Sequence, residues 1–474
     1  MILDRSKVRR ERQKHRKRIQ KEEDMLWNAV TGIYVDGKRH ATLTTKQRPN
    51  GKYCKETILE DHHVVVGEPG GFYLTHLTTS DGKGATIANT VNDVIQNTEL
   101  KDKIKVVGTD GTPSMTGPHT GFIRSLELLL LKPVQWSICL LHCNELPLRH
   151  VFKYLDGTTS GPDSFNGPIG SSLSSCVSEW PMVRFQRIRN PEFKELPQEV
   201  VEDLSTDQYY AYKVWMSVVK GKTDEDLEMQ KVGPIVHSRW LTLACRVVRF
   251  YMSTKNPSTN LLPVTKFCVL VYFPSWFEIK YKNKITDGSR NLFNIVKRIK
   301  SFPDEKVAEI ALSVIQNNAF FAHPENILLS MLGDEEKRIR KLAVDRILCL
   351  RFLKSQNQDK VQEEDTVRKF LIPQIDTSAK SYHKLSDINS EHVKEPPLTQ
   401  DLSNEMLKEI VTSPLSFHHP CHSQAVERHI QLVSEASGLV STFARRDGLI
   451  RQRIRSRKLV NRCETKRDFE ESVQ

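Results

Sequence analysis

Two aspartates stand where chemistry is usually done in α/β proteins. Asp110 closes the run Ile104-Lys105-Val106-Val107-Gly108-Thr109 and is followed at once by Gly111, Thr112 and Pro113, the pattern of a β-branched strand emptying into a turn. An apolar helical stretch, GFIRSLELLLLK, and a second apolar run from Gln135 to Cys143 come next. Strand, helix and strand make a βαβ crossover, and ligands of open α/β sheets sit just past the carboxyl ends of such strands. Asp36 has a comparable place, because Gly32-Ile33-Tyr34-Val35 reads as a strand and Asp36-Gly37 as the turn that ends it. Taken alone, Asp36 reads first as a turn-capping residue. Two carboxylates held side by side, however, repel and raise each other's proton affinity unless a cation lies between them. Magnesium or manganese, hard ions that prefer oxygen ligands, resolves that repulsion. A pair of such ions about 3.5 to 4 Å apart activates an attacking oxygen and stabilises a leaving one in phosphodiester chemistry.

The surrounding elements set the geometry. A helix is expected through Glu22 to Val30, a strand over Gly32 to Lys38, and the other arm of a hairpin over Arg39 to Thr45. Further strands are expected at His62 to Val66 and Phe72 to Thr78, across the turn Glu68-Pro69-Gly70-Gly71. Ile87, Ala88, Val91, Val94 and Ile95 give Ala85 to Glu99 a helical period. Strands, one helix, the Asp110 strand, a helix and a last strand is an order that resembles a ribonuclease H-like core. In such a core the first and fourth strands are neighbours, which would set Asp36 beside Asp110. The fold class expected is therefore α/β, a ribonuclease H-like core interrupted by a large all-helical insertion, with a basic N-terminal extension. In this scheme residues 1–22 are a disordered basic tail, 23–170 the first part of the core, 171–413 the insertion, 414–460 a C-terminal core helix with a dimerisation-like segment, and 461–474 a tail. Apolar residues at spacings of three and four mark helices at Asp207 to Lys220, Trp240 to Met252, Asn291 to Lys300, Glu305 to Asn317, Pro324 to Leu332 and Asp334 to Leu353. Such a block is far too long for an ordinary loop. The polar stretch Lys354 to Leu398 reads as a linker, within which VRKFLIPQI could dock.

Composition narrows the class. Over 474 residues, 38% hydrophobic and 27% charged residues describe a soluble protein with ordinary cores. No apolar run approaches the roughly 20 residues of a membrane span, and no apolar segment follows the basic N-terminus as in a secretory leader. Nine cysteines at irregular spacing do not form a disulfide framework and fit a reducing compartment. The net charge of +12 is concentrated at the ends: ten Lys or Arg between Arg5 and Lys21, seven between Arg445 and Lys458. Such blocks are either solvated tails or polyanion-binding segments that also serve as nuclear addresses. Beside a carboxylate-bearing α/β core they point to nucleic acid, with Arg9, Arg10, Arg12, Arg16, Lys17, Arg18, Arg451, Arg453 and Arg455 as the expected phosphate contacts.

A family resemblance gathers these features. Thr109-Asp110-Gly111-Thr112-Pro113-Ser114-Met115-Thr116-Gly117, a helix, and then Cys139-Leu140-Leu141-His142 resembles the second catalytic aspartate and the C-x-x-H motif of hAT-type DNA transposases. His237-Ser238-Arg239-Trp240-Leu241-Thr242 is similar to the family's Arg-Trp signature at the start of its helical insertion, and Ser423-Gln424-Ala425-Val426-Glu427-Arg428 to its Ala-Ser-Glu-Arg helix. The resemblance implies Asp36, Asp110 and Glu427 as catalytic, metal-binding carboxylates for Mg2+ or Mn2+. It implies Cys139, His142, Arg239 and Trp240 as family-motif residues, and dimerisation through helices around Leu432 to Leu449. The chain departs from the family pattern in having no Trp-Thr shortly after Asp36 and in having His429-Ile430 where Phe-Ser usually follows the Glu-Arg pair. No zinc-finger module precedes Asp36, so the expectation is a relative without that module or a chain incomplete at its N-terminus.

Several of these residues have plainer readings. On a strand, Cys139 and His142 face opposite ways, and no second ligand pair stands nearby, so packing or hydrogen bonding is expected for them instead of zinc. His418-His419-Pro420-Cys421-His422 reads as a loop with incidental histidines. Glu427 lies beside an apolar helical stripe of Ala425, Val426, His429, Ile430, Leu432, Val433 and Ala436; the residues alone suit a surface glutamate, and the resemblance makes it catalytic. The function expected is metal-dependent DNA strand cleavage and transfer, in the nucleus, with DNA and possible homo-oligomers as partners and no membrane. The alternative is a catalytically inactive, domesticated transposase serving as a DNA-binding or protein-interaction module.

Overall fold

The computed structural model describes residues 4–27, 30–68, 71–96, 98, 100–161, 164–173, 181–202, 204–223, 225–230, 232–233, 240–281, 285–356, 372–388, 402–415 and 423–459. It is an α/β protein with a mixed five-stranded sheet near the N-terminus, followed by many helices.

The sheet is built from β1 (Gly32–Gln47), β2 (Tyr53–Glu68), β3 (Phe72–Thr79), β4 (Val106–Thr109) and β5 (Gln135–Ile138), in the order β3-β2-β1-β4-β5. β1 and β2 pair antiparallel from Gly32↔Glu68 out to Gln47↔Tyr53, and β3 continues the meander on β2. β4 then returns on the other side of β1 and runs parallel to it, with Gly32↔Val106, Ile33↔Val107 and Tyr34↔Gly108 in register. β5 pairs parallel to β4. All four residues of β4 and of β5 are buried, as parallel strands covered on both faces must be.

Strand alternation sends neighbouring side chains of β1 to opposite faces. Ile33 and Val35 join Val65, Leu74 and Leu77 under helices α2 (Gly84–Gln96) and α5 (Phe122–Leu130), with Ile87, Val91, Phe122 and Leu126 all at 0 or 1% exposure. Between these helices lie the single turns α3 (Leu100–Lys103) and α4 (Pro113–Thr116). Glu127 of α5 is fully buried; it accepts hydrogen bonds from the Arg124 guanidinium, the Val134 backbone N–H and the Trp136 indole N–H, which fixes the entry to β5. On the opposite face, Tyr34, Val64, Val66 and Tyr73 form a second apolar cluster with Val426, Ile430, Leu432, Val433 and Ala436 of the helix Ser423–Leu439 and Ile450 of the helix Phe443–Leu459. Each such aliphatic side chain contributes about 1.5–3 kcal/mol when withdrawn from water. The apolar stripe over Leu432 to Leu449, expected to support dimerisation, therefore packs largely against the chain's own sheet.

The helical region follows α6 (Leu140–Asp156). Helices Thr206–Lys220, Trp240–Met252, Glu305–Gln316 and Pro324–Leu332 lie within one or two residues of expectation; Gly288–Lys300 and Lys337–Gln356 begin and end up to three residues away. The rod Leu261–Tyr281, π-helical from Cys268 to Tyr272, was not expected, because its near-continuous burial leaves no polar face to reveal a period. Of the polar linker, residues 357–371 and 389–400 lie outside the described residues. Ile375 and Leu385 do dock in the main core.

The basic N-terminal block is not a tail. Arg5–Trp27 forms one helix, α1, lying along the Phe443–Leu459 helix: Ile19 is buried, the Arg16 guanidinium donates to the Ala444 carbonyl at 2.6 Å, and Arg455 pairs with Glu22. Among the described residues no helix is long and apolar enough to cross a membrane.

Candidate active site

The parallel pairing of β1 with β4 does the positioning. The pairing ends at Tyr34↔Gly108, and the same register carried two residues further would bring Asp36 opposite Asp110, near the strand ends where substrates of α/β sheets bind. Asp36 is not at a turn, contrary to expectation. Asp36-Gly37 is strand interior, paired with Val64 and His63, and the hairpin reverses only at Arg48 to Lys52. Asp36 lies half-buried on the same face as Tyr34 and Val64, with Oδ1 accepting the Gly37 N–H at 2.7 Å. Asp110, also half-buried, leaves the end of β4. Its Oδ1 accepts the Thr112 N–H at 3.1 Å and the Thr112 hydroxyl at 2.8 Å, so the Gly111-Thr112-Pro113 turn fixes the carboxylate's rotamer.

Two further strand residues, Tyr34 and His63, pack beside the segments that carry this pair. The Tyr34 hydroxyl donates to the Thr109 carbonyl at 2.7 Å, tying β1 to the last residue before Asp110. This needs a glycine at position 108, since a Cβ there would lie 2.2 Å from Cδ2 of Tyr34. Gly108→Ala is expected to displace the Tyr34 ring and cost about 1–3 kcal/mol, read as a lowered midpoint of urea unfolding. His63 lies flat over Gly37, whose added Cβ would meet its Nδ1 at 2.1 Å. It is 6% exposed and neither ring nitrogen has a hydrogen-bond partner among the described residues. Burial pushes its imidazole down to about 4, against the opposing pull of the Asp61 and Asp110 carboxylates.

Glu427 lies in the first turns of the Ser423–Leu439 helix. Its neighbours Val426 and Ile430 pack with Tyr34 and Val64, so that helix meets the sheet face that carries Asp36. The Glu427 side chain itself lies outside the described residues, as do Arg239 and residues 418–422. Among the described residues no three His, Cys, Asp or Glu side chains converge to hold a metal ion.

Cys139 and His142 are not on a strand, which corrects their expected geometry. β5 ends at Ile138, Cys139 is the N-cap of α6, and His142 sits in its first turn. The backbone N–H of Cys139 donates to the Thr109 carbonyl at 3.0 Å, and the His142 ring packs where a Cβ on Gly111 would come within 2.9 Å of it. Both side chains are buried, and His142 has Glu145 at 3.7 Å. They support the turn after Asp110 by packing. Trp240, 5% exposed, starts its helix in the main core.

The basic residues divide. Arg9, Arg10, Arg12, Lys17 and Arg18 are exposed on α1. Arg451 is not a phosphate contact: it is 5% exposed, pairs with Asp447 at 2.9 Å, donates to the Leu74 carbonyl and stacks over Tyr73. Arg453 pairs with Glu435, and Arg455 with Glu22. The C-terminal block thus fastens its helix to the sheet and to α1.

The class these features define is a mixed α/β sheet protein with an aspartate on each of two adjacent parallel strands, Asp36 within β1 and Asp110 just past the end of β4. Neither a protein-family model nor a curated protein matches the chain.

Proposed function

We propose that this chain is a transposase-type protein whose ribonuclease H-like core cleaves and transfers DNA strands with the help of divalent metal. The parallel β1–β4 pairing, whose register carried two residues on would set Asp36 beside Asp110, carries this reading, and the strand order β3-β2-β1-β4-β5 supports the ribonuclease H-like assignment. The resemblance to hAT-type transposases adds Glu427 as the third carboxylate, on a helix that packs against the face bearing Asp36.

The donor set suits Mg2+ or Mn2+: oxygen ligands from two half-buried carboxylates, one held in place by Thr112. Asp36, Asp110 and Glu427 would hold the ions, whose chemistry is to activate an attacking water or 3′-hydroxyl and to stabilise the departing oxygen. The chain's own contribution is position. Tyr34 and the Asp110-Gly111-Thr112 turn keep the carboxylates fixed relative to each other, which is what separates a near-attack geometry from a loose one. The exposed cations of α1, Arg9, Arg10, Arg12, Lys17 and Arg18, are suited to DNA phosphates, a contact that weakens steeply with salt.

The test is strand cleavage of duplex DNA by the purified protein with magnesium or manganese, comparing wild type with Asp110→Asn. Cleavage by the wild type alone is expected. Equal cleavage by both sinks the assignment, and cleavage by neither with salt-sensitive DNA binding intact leaves the non-catalytic DNA-binding module in its place.

A further inference from the structure

The hairpin of β1 and β2 outruns its sheet. β4 pairs with β1 only up to Tyr34, and β3 pairs with β2 only from Asp61 onward. From Ala41 to Leu59 the two strands pair with each other alone among the described residues, in unbroken register to Gln47↔Tyr53. The tip is well formed: Gly51 donates to the Arg48 carbonyl at 2.9 Å, Arg48 to the Lys52 carbonyl at 2.8 Å, and Gly51 takes φ +74°. Pro49-Asn50-Gly51 is thus a three-residue hairpin loop with glycine at the left-handed position. The root is clamped from the other side, where Ser434 bonds His40 and Arg446 donates to the Leu43 carbonyl.

Direction and length bear on what the arm meets. β1 runs past Asp36 and out of the sheet beyond the carboxyl end of its parallel neighbour β4, the end at which ligands of open α/β sheets bind. At about 3.3 Å per residue its end lies up to roughly 36 Å beyond Asp36, close to one turn of B-DNA, about 10 base pairs.

Its surface is basic and partly apolar. Residues 45–53 and 55–59 are exposed. Lys46, Arg48, Lys52 and Lys55 face one acid, Glu56, which sits 3.7 Å from Lys46. Lysines on a free strand edge commonly serve only to discourage pairing, but that does not account for Tyr53 at 70% and Leu59 at 65% exposure. Cross-strand pairing puts Tyr53, Lys55, Thr57 and Leu59 on one face, beside Gln47, Thr45, Leu43 and Ala41. A two-stranded ribbon fits the major groove, where methyl-bearing side chains meet the thymine methyl group and polar ones meet base edges, while Lys and Arg reach phosphates.

We infer that the β1–β2 arm lies in the major groove of duplex DNA about one helical turn from the Asp36–Asp110 pair. The inference rests on the reading of DNA as the substrate and adds how the duplex is held.

The full chain is compared with two variants on a duplex carrying a single cleavage or binding site, without added metal. In the first, Asn-Gly replaces Thr45 to Lys55, joining the paired residues Thr44 and Glu56. In the second, Arg48→Gln/Lys52→Gln/Lys55→Gln, the arm keeps its length. Methylation by dimethyl sulfate reads guanine N7, a major-groove atom. Wild type is expected to protect a segment of about 10 base pairs that the shortened protein leaves reactive. The triple variant is expected to bind at least about tenfold more weakly at low salt, its salt slope reduced by about 2.7. Asp110→Asn should keep the full protection, so loss of cleavage and loss of the arm contact are read separately. Identical protection by wild type and both variants overturns the inference, as does equal weakening on single-stranded DNA. A shift from dimer to monomer on shortening, with the protection pattern unchanged, overturns it in favour of a second copy of the chain as the arm's partner. A wild type that binds no duplex overturns both the inference and the reading beneath it.

Discussion

Replacing Asp36 by Asn is expected to slow metal-dependent strand cleavage at least about 10³-fold, and the Asp36→Asn/Asp110→Asn double variant is expected to be no slower than the worse single one. The register Gly32↔Val106 to Tyr34↔Gly108, carried two residues on, would set the two carboxylates together, and in the proposed site they act as one unit. Charge stabilisation by a held cation supplies several kcal/mol, and each 1.36 kcal/mol is about tenfold in rate. Removing either ligand therefore forfeits most of the effect, and residues acting as a unit give grossly non-additive losses. Asparagine keeps the volume of Asp36 and can still accept the Gly37 N–H, so unfolding midpoints should stay near wild type. Single-turnover cleavage rates for the four proteins, with circular dichroism melts alongside, make the measurement. Multiplying losses in the double variant would mean that Asp36 and Asp110 act independently, and the shared-metal reading would fall.

Sequence patterning revealed the sheet where residues alternate or run apolar, and failed where local chemistry resembled something else. The Val106–Thr109 strand, its closing aspartate and the α5 crossover were legible because a β-branched run, a turn and an amphipathic helix follow in order. The mistaken turn at Asp36-Gly37 came from a dipeptide that is common in turns. Here the glycine is instead required by the His63 ring lying over it, a contact between strands that no local window contains. The real reversal, Pro49-Asn50-Gly51, carried its own turn chemistry but stood beyond the assumed hairpin end. Cys139-x-x-His142 was misplaced because an apolar run continues from β5 into α6 without a break in hydrophobicity. The C-terminal arginines looked free because sequence shows a cation but not Asp447, Glu435 or Glu22 waiting for it. Tyr34, which ties β1 to the residue before Asp110, and His63, which packs over Gly37, are ordinary strand residues in sequence. Only the pairing of β1 with β2 and β4 gives them their place.

Acidification from pH 6.5 to 5.5 is expected to remove about 3 kcal/mol of folding stability, measured in the metal-free protein. Three histidines are buried on β2 and β3: His62 at 0%, His63 at 6% and His76 at 0% exposure. His62 is held between the Thr42 hydroxyl at 2.8 Å and the Thr78 hydroxyl at 3.1 Å, stacked on His40, with Glu60 at 3.4 Å and Arg446 beyond it. His76 is bonded to the Tyr73 hydroxyl at 2.8 Å and stacked on Phe443, with Asp447 and Arg451 near. Burial pushes His62 down to about 3, and His63 and His76 to about 4. Burial also lowers His40. Because these folded values lie below the unfolded value near 6.5, their contribution is complete above pH 6.5 and is lost as pH falls, when the unfolded chain binds protons that the folded chain refuses. The unfolded imidazole is half protonated at pH 6.5 and nearly fully protonated at pH 5.5, so each histidine costs about 1 kcal/mol over that unit and three give about 3 kcal/mol. This is a large part of the roughly 5–15 kcal/mol that holds an ordinary domain together. The window lies above the usual carboxylate range, which keeps acid titration of Asp and Glu out of the reading. The loss should appear first where these rings hold the Ser423–Leu439 and Phe443–Leu459 helices to the sheet, through His40–Ser434 and His76–Phe443. Urea unfolding at pH 6.5, 6.0 and 5.5 measures the slope. His76→Phe, which keeps an aromatic ring against Phe443, should flatten it by about a third. A slope near zero in the wild type, or one unchanged by His76→Phe, would show that these rings take up protons in the folded chain as freely as in the unfolded one.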